Sequence, residues 1–300
     1  MHYIVSIPVN EKIASFIGKK GSEESLIFYN RKVDQDVIVA LYPSNDELKW
    51  YYSMASSMLL ASQIVISTET VDKMLGEALI AASLLDKRVL VLNENDVSKI
   101  VGNGMLKNYE IISREELLGK ITSVKTLDQH NQLRIDVDHA FPVKGIGTVA
   151  LGIVMGGKVK VHDSLHSTSG KQVSVKSIQS QDVDIQEAGI GTRVGLALKG
   201  AEPEDIQKGD LLLSRPAAKS KSATSTLQLS SFASEKIEPQ SRYTFVSNFT
   251  HVVVKVENYE GNKATLTFEK PISILEGDSF LLIRESNPKI FSSGRIISTS

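Results

Sequence analysis

The hydrophobic pattern of this chain changes near residue 120, and this change limits the folds that the chain can adopt. Before residue 120, short apolar segments alternate with helical patterns, whereas after it short alternating strands are separated by Gly, Asp and Asn. Strands that alternate with helices predict a mainly parallel sheet covered on both faces. Closely spaced strands with polar turns predict a barrel or sandwich. The sequence therefore predicts an α/β domain followed by all-β structure.

The predicted elements divide the chain into three domains, at 1–120, 121–215 and 216–300. In the first, we expect strands in IVSIPV, LIFYN, DVIVALY, QIVIS, RVLVL and YEIIS, and helices over 46–60, 71–85 and 114–118. The stretch IGKKGSEES is interpreted as a loop with a basic tip. The second boundary lies in RPAAKSKSATS, residues 215–225, because this composition is typical of a linker.

Composition excludes several classes of function. The net charge of -1 gives no global basic field, so a DNA-binding protein is not expected. The chain has no cysteine, which excludes thiolate metal sites and thiol catalysis. The first residues, MHYIVSIPVNEK, lack the features of a signal peptide, and no apolar stretch is long enough to span a membrane. We expect a cytoplasmic protein without a membrane partner.

Other chemistry has little support in the sequence. His162 and His166 have no third ligand pattern nearby, and no Gly-x-Ser-x-Gly segment occurs. We therefore expect neither a metal site nor catalytic residues. Basic residues could contact RNA phosphates, although solvated loops explain them equally well; they are Lys19, Lys20, Arg31, Lys32, Lys219 and Lys221.

The middle of the chain carries the most specific motifs. HAFPVKGIGTVALGIVMGGKVKVHDSL and the later SVKSIQSQDVDIQEAGIGTRVGLALKGAEPEDIQKGDLL resemble the second domain of translational GTPases of the elongation factor Tu type. LTFEKPISILEGDSFLLIRES with FSSGRIIS resembles the third domain of selenocysteine-specific elongation factors. The resemblance implies a doubly wound Ras-like (P-loop NTPase-like) domain followed by two β-barrels of elongation factor Tu type.

The first domain departs from the family at the positions that handle GTP. ALYPSNDELKWYYSMASSMLLASQIVIS aligns with the family stretch that begins Asp-x-Pro-Gly-His, and Pro43 matches. The Mg²⁺-linked Asp of the family is Leu41 here, the Gly that meets the γ-phosphate is Ser44, and the catalytic His is Asn45. The resemblance therefore implies that the residues for metal binding and water activation are missing.

The phosphate-binding loop of the family is also altered. After the first strand, Pro8 takes the place of the first glycine, Lys12 is the one relic of the loop lysine, and Ile13 follows it where Ser or Thr is needed. A phosphate loop needs converging backbone N–H groups and a hard oxygen ligand for Mg²⁺, and proline removes one of these donors. We therefore predict a pseudo-GTPase with no cofactor, in which bound GTP and Mg²⁺ are disfavoured.

Asn93 and Asp96 occupy the positions at which the family reads guanine with Asn-Lys-x-Asp, but Glu94 replaces the lysine. In a working site, Asp96 would accept two guanine N–H groups and Asn93 would meet O6 or N7. The alternative is that both residues tie the strand end to its loop as turn or N-cap residues. We favour the alternative and interpret Lys12, Asn93 and Asp96 as the remnant of a nucleotide site.

The resemblance implies a translation-linked protein that binds tRNA or the ribosome. In the second domain, five residues are predicted to form the surface that meets the aminoacylated end of tRNA or the ribosome: Phe141, Lys144, Gly147, Thr148 and Arg193. Two alternatives remain open. One is a working GTP-binding elongation factor with an altered loop, and the other is a scaffold whose barrels bind a protein partner.

Overall fold

The computed structural model describes residues 1–44, 47–95, 99, 101, 105–124, 132–233, 236–286 and 289–300, with Glu47 and Leu48 described by their backbone alone. Among these residues, none of the helices combines the length and the apolar composition needed to cross a membrane. The predicted residues Asn45 and Asp96 lie outside the described part.

The first domain is a seven-stranded sheet with helices on both faces. Its strands are β1 (His2–Ser6), β2 (Lys19–Glu23), β3 (Leu26–Val33), β4 (Asp36–Pro43), β5 (Gln63–Ile66), β6 (Arg88–Leu92) and β7 (Tyr109–Ile112). The strand order is β2-β3-β4-β1-β5-β6-β7, in which β4, β1, β5, β6 and β7 are parallel and the β2–β3 and β3–β4 pairings are antiparallel. The predicted α/β domain is confirmed.

The helices whose bounds lie in the described residues of this domain are α1 (Glu11–Ile17), α2 (Glu47–Leu60), α3 (Lys73–Leu84) and α4 (Leu117–Thr122). Residues of α2 and α3 form one apolar core with one face of the sheet, and residues of α1 and α4 form another with the opposite face. Ile121 belongs to the second core, so α4 extends past the boundary drawn at residue 120. The domain boundaries themselves stay predictions.

The loop predicted at IGKKGSEES is wrong, because residues 19–23 form the edge strand β2. All five of its residues are exposed, and Lys20 pairs with Glu23 at 2.7 Å. Charged, solvated edge strands protect a sheet from pairing with other chains, but they lack the apolar alternation by which a strand is predicted. The residue before the strand, Gly18, has to be a glycine, because a Cβ there would lie 2.6 Å from the carbonyl group of Asn30.

The second domain is a six-stranded closed barrel. Its elements are β8 (Arg134–Val143), β9 (Gly147–Gly156), β10 (Lys158–Lys160), β11 (Ser164–Ser167), β12 (Gln172–Ser180), β13 (Val183–Ile185), β14 (Glu187–Gly189), β15 (Arg193–Lys199), a 3-10 turn (Pro203–Asp205) and β16 (Leu211–Leu213). The ring runs β11-β16-β8-β9-β15-β12 and closes by pairing of β12 with β11. Its interior is filled by aliphatic side chains.

The third domain is a second closed barrel with the ring order β17-β20-β19-β18-β21-β22. The strands are β17 (Ser220–Leu229), β18 (Arg242–Ser247), β19 (Thr250–Glu260), β20 (Lys263–Ile272), β21 (Ser279–Ile283) and β22 (Ile290–Thr299). The predicted linker is therefore wrong from residue 220 onward. Its Ser, Thr and Ala side chains alternate in burial, and Ser225 is fully buried, but such small side chains give little hydrophobic signal.

A buried ionic cluster joins the two barrels. Arg134 on β8 donates to Asp136 from Nε at 2.6 Å and from Nη2 at 3.0 Å, and its Nη1 donates to Asp278, which precedes β21. Asn248 donates to the second oxygen of Asp136 at 2.6 Å. The three charged residues are 5% exposed or less, so each charge depends on the others for its solvation.

A buried carboxylate joins the first domain to the second barrel. Glu77 on α3 is 3% exposed and accepts the backbone N–H groups of Lys289 at 2.7 Å and Ile290 at 2.9 Å. Ser293 on β22 donates to the carbonyl oxygen of Leu84, the last residue of α3, at 2.9 Å. Helix α3 is therefore fixed to the second barrel at Glu77 and at its last residue.

Candidate nucleotide crevice and barrel surface

The loops that follow β1, β5, β6 and β7 meet at the carboxyl edge of the first sheet. Strand β1 lies between β4 and β5 in the sheet. The connection from β4 to β5 therefore crosses over β1. In open α/β sheets, ligands bind at this edge beside such a reversal of strand order. The fold thus places a candidate crevice where Lys12, Asn93 and Asp96 were expected.

The loop after β1 is extended and mostly buried. Ile7, Pro8 and Val9 are buried, and the N–H of Ile7 donates to the carbonyl oxygen of Leu41 at 2.9 Å. Asn10 has a φ of 67° and caps the seven-residue helix α1 by accepting the N–H of Lys12 at 3.2 Å. Apolar side chains and an internal cap therefore occupy the place of a glycine-rich phosphate cradle.

Glu69, in the loop after β5, lies against the start of α1. Its Oε1 is 3.3 Å from Nζ of Lys12, and its Oε2 accepts a hydrogen bond from Nδ2 of Asn10 at 2.5 Å. The hydrogen bond from Asn10, followed by the hydrogen bond and charge of Lys12, lowers the pKa of Glu69. A carboxylate of the chain itself thus pairs with the relic lysine.

Glu94 ties the loops after β5, β6 and β7 together. Its Oε1 lies 2.5 Å from Nη2 of Arg114, and its Oε2 accepts the hydroxyl of Ser67 and the N–H of Glu69 at 3.2 Å. Asn95 adds hydrogen bonds to the backbone, including one to the carbonyl oxygen of Glu69 at 3.1 Å. The residue that replaces the family lysine therefore acts as an internal ion-pair partner.

Asn93 lies at the exposed end of β6, where its backbone N–H donates to the carbonyl oxygen of Ile112 at 2.9 Å. Sequence reasoning placed Asn93 and Lys12 at this edge, but it missed Asn10, Glu69 and Arg114. The sequence signal for one of them lay in Glu94, because an acidic residue at a lysine position reverses the charge there and favours a cationic partner such as Arg114.

No carboxylate stands at the metal-linked position on β4. Leu41 is fully buried and packs in an apolar cluster with Phe28 and Val39. Within the described residues, no group of three His, Asp or Glu side chains is arranged to hold a metal ion. The described residues at this edge therefore do not supply a donor set for Mg²⁺.

Four of the five predicted barrel residues lie together at the β8–β9 hairpin. Phe141 is half-buried and stacks on His139 with ring centroids 5.6 Å apart, while Lys144 and Gly147 are exposed. Thr148 is 4% exposed, and its hydroxyl donates to the carbonyl oxygen of Ala201 at 2.8 Å. Thr148 therefore supports this hairpin from inside and does not present its side chain on the surface.

Arg193 was predicted to lie on the same surface, but the structure places it in the contact between the first domain and the first barrel. Its Nη2 is 3.0 Å from Asp138, and its guanidinium lies 3.5 Å from the ring centroid of Phe28 on β3. Burial lowers the pKa of Arg193, although Asp138 opposes this effect. The correction follows from two distant partners, a carboxylate on β8 and a ring in another domain.

Comparison with known proteins shows what the chain is similar to. Residues 147–213 match the family model described as Elongation factor Tu domain 2. The chain is 27% identical over 285 residues to an uncharacterized protein of Methanocaldococcus jannaschii, covering 91% of this chain and 92% of that protein. It is 31% identical over 202 residues to the selenocysteine-specific elongation factor of the same organism, covering 57% of this chain and 43% of that protein.

The selenocysteine-specific elongation factor of Escherichia coli is 30% identical over 186 residues, covering 61% of this chain and 30% of that protein. The chain thus spans less than half the length of these two elongation factors. Among solved structures, the apo form of translation elongation factor SelB from Methanococcus maripaludis superposes with a TM-score of 0.81 at 18% identity, covering 100% of this chain and 81% of that one. That structure shows a shared fold. In sequence the chain is similar to translational GTPases of the elongation factor Tu and selenocysteine-specific elongation factor type, and in fold it is similar to SelB.

Proposed function

We propose that this protein is a translation factor-like protein that binds tRNA or the ribosome through its barrels and has lost the binding and hydrolysis of GTP. The main support for the loss of GTP binding is the pairing of Glu69 with Lys12. This lysine is the one cation left from a phosphate loop, and a carboxylate of the chain already lies 3.3 Å from it. A triphosphate would have to displace that carboxylate and then remain close to its charge.

The other groups at the carboxyl edge support the loss. Guanine binding would bring an anionic ligand toward Glu94, whose charge is engaged with Arg114 and with the loop after β5. Mg²⁺ prefers hard oxygen ligands, and Leu41 supplies none. Pro8 removes one N–H from the loop that would surround the phosphates. These residues do not fit a GTP–Mg²⁺ complex, so the proposal includes no hydrolytic step.

The nucleotide half is tested by calorimetric titration of the full chain with GDP and GTP, each with and without Mg²⁺. We expect no guanine-specific, Mg²⁺-dependent binding tighter than about 1 mM, which corresponds to about -4 kcal/mol. Glu94→Lys restores the family residue and serves as a matched variant, which we also expect to be silent because the loop after β1 is unchanged. Mg²⁺-dependent binding of GTP by the wild-type chain would contradict the proposal.

The RNA half is tested by measuring tRNA binding as a function of salt. Phe141 and Lys144 lie at the exposed hairpin of the first barrel, so Phe141→Ala is expected to weaken binding by about 1–3 kcal/mol through lost base stacking. Lys144→Gln is expected to reduce the slope of log K against log salt by about 1. The control is Lys107→Gln, at an exposed lysine beside β7.

Two results would decide against RNA as the partner. One is the absence of binding to tRNA and to ribosomes at low salt. The other is equal affinity for the wild type, the Phe141 variant and the Lys144 variant, with an unchanged salt slope. A protein that co-purifies stably while RNA binding is absent would favour the scaffold alternative.

A further inference from the structure

A cavity of about 470 Å³ lies between α2 of the first domain and the second barrel. Its volume falls within the range of small-molecule sites, which is roughly 300–1,000 Å³. None of its described lining residues belongs to the crevice at the carboxyl edge, so a ligand there is independent of the fate of GTP binding.

The lining is strongly cationic. Among the described lining residues, Lys49, Arg242, Arg284 and Lys289 are cationic, and the one carboxylate is that of Glu285. The chain as a whole has a net charge of -1, so this excess of positive charge is local. Partly enclosed clefts lined by one sign of charge concentrate ions of the opposite sign. The charge therefore selects an anionic ligand.

Two of these cations line the cavity without a carboxylate partner among the described residues. Arg242 is exposed and makes no ion pair with any residue in the described part of the chain. Nζ of Lys289 is half-buried and donates to the backbone carbonyl oxygen of Glu285 at 2.6 Å, so its charge is not neutralised by that contact. Both groups retain hydrogen-bond donors suited to phosphate oxygens.

Aromatic rings also line the cavity. Tyr243 stacks on Phe291 with ring centroids 5.1 Å apart and an interplanar angle of 9°, and Tyr52 stacks on His251 at 5.4 Å and 6°. Both tyrosines are half-buried, so each ring is held in a fixed plane at the cavity wall. Fixed aromatic faces are the platforms on which nucleobases stack, independently of base identity.

We propose that this cavity binds a nucleoside phosphate, with the phosphate held by Arg242 and Lys289 and the base stacked on Tyr243. Two sources share this chemistry: a free mononucleotide and a nucleotide within a single-stranded RNA. The described lining offers no set of carboxylates for a metal ion, so binding does not require Mg²⁺. Base stacking without hydrogen-bond readout makes the site tolerant of base identity.

The full chain contains a single tryptophan, Trp50, which provides the readout. Its ring contacts Tyr51, a cavity residue, edge-on with centroids 5.0 Å apart. Tryptophan fluorescence is followed while AMP or a 5′-phosphorylated single-stranded oligoadenylate is added, and calorimetry of the same mixtures gives the affinity. We expect saturable binding that persists in EDTA.

Arg242→Gln and Tyr243→Leu are each expected to weaken this binding at least about tenfold, through a lost charged hydrogen bond and a lost stacking face. Leucine retains an apolar contact with Phe291. Arg295→Gln, at an exposed arginine on the same barrel, is the control and is expected to bind like the wild type. Equal affinity for AMP and the oligonucleotide supports a free nucleotide, and binding of the oligonucleotide alone supports an RNA strand.

The proposal is overturned if neither probe binds saturably, or if the Arg242 and Tyr243 variants bind as tightly as the wild type. Its failure is distinguishable from failure of the proposed function. Binding that is guanine-specific, depends on Mg²⁺ and survives Arg242→Gln contradicts the pseudo-GTPase alone, because it must occur outside this cavity.

Discussion

Replacing Arg134 by methionine is expected to lower the free energy of unfolding by about 3–5 kcal/mol. The guanidinium contacts two carboxylates that are 2% and 5% exposed, Asp136 and Asp278, and methionine leaves both charges buried without a counterion. Removing one partner from a buried ionic cluster lowers stability strongly, because the remaining charges stay desolvated. This loss is far larger than the stability that the intact cluster contributes relative to apolar residues. Urea unfolding followed by circular dichroism measures the loss.

Two variants separate the charge effect from lost packing. Lys158→Met removes a surface ion pair with Glu187, in which both side chains are about half exposed, and is expected to cost less than about 1 kcal/mol. Adding Asp136→Asn and Asp278→Asn to the Arg134 variant removes both stranded charges, so part of the stability should return. If Arg134→Met costs no more than Lys158→Met, the cluster is not the anchor between the barrels.

Replacing Glu77 by glutamine is expected to lower the free energy of unfolding by about 1–3 kcal/mol. The buried carboxylate accepts two backbone N–H groups of the second barrel at 2.7 and 2.9 Å. Glutamine retains one acceptor oxygen, but its NH₂ group must face the other N–H donor. Glu77→Leu removes both acceptors and is expected to cost more than the glutamine variant.

Hydrogen exchange locates the effect of the Glu77 variants. The amides of Lys289 and Ile290 should lose protection in both variants, while amides inside the second barrel retain it, because the contact with α3 opens before the barrel unfolds. Glu115→Gln, at an exposed glutamate, is the matched control and is expected to stay within about 0.5 kcal/mol of the wild type. Unchanged protection at residues 289 and 290 in Glu77→Leu would rule out this clamp.

The fold was predictable wherever an element buries an apolar face. The parallel strands β1, β5 and β6 have nearly continuous burial and were predicted from their apolar runs. Strand β2 is fully exposed and β17 is built of small polar residues, so neither produced an apolar pattern. A strand that is stabilised mainly by hydrogen bonds to neighbouring strands cannot be predicted from its own sequence and is recognised only in the folded structure.

The candidate site was predictable in its position but not in its contacts. Lys12 and Asn93 were assigned to the carboxyl edge from spacing and resemblance, and the structure places both there. The partner of Lys12 is Glu69, which is 57 residues away along the chain and has no motif of its own. Arg193 likewise depends on Asp138 and Phe28, so the exposure of a charged residue cannot be read from its local sequence.

Glu77 has an evolutionary consequence that follows from the groups it binds. It recognises the peptide N–H of Lys289 and Ile290, not their side chains, so substitutions at these two positions leave the hydrogen bonds intact unless the new residue is proline. The side chain of residue 289 can therefore diverge under selection for whatever the neighbouring cavity binds. In residue 289, the backbone N–H holds the domains together and the side chain faces the cavity. Substitutions that change the side chain can therefore alter ligand preference without weakening the contact between the domains.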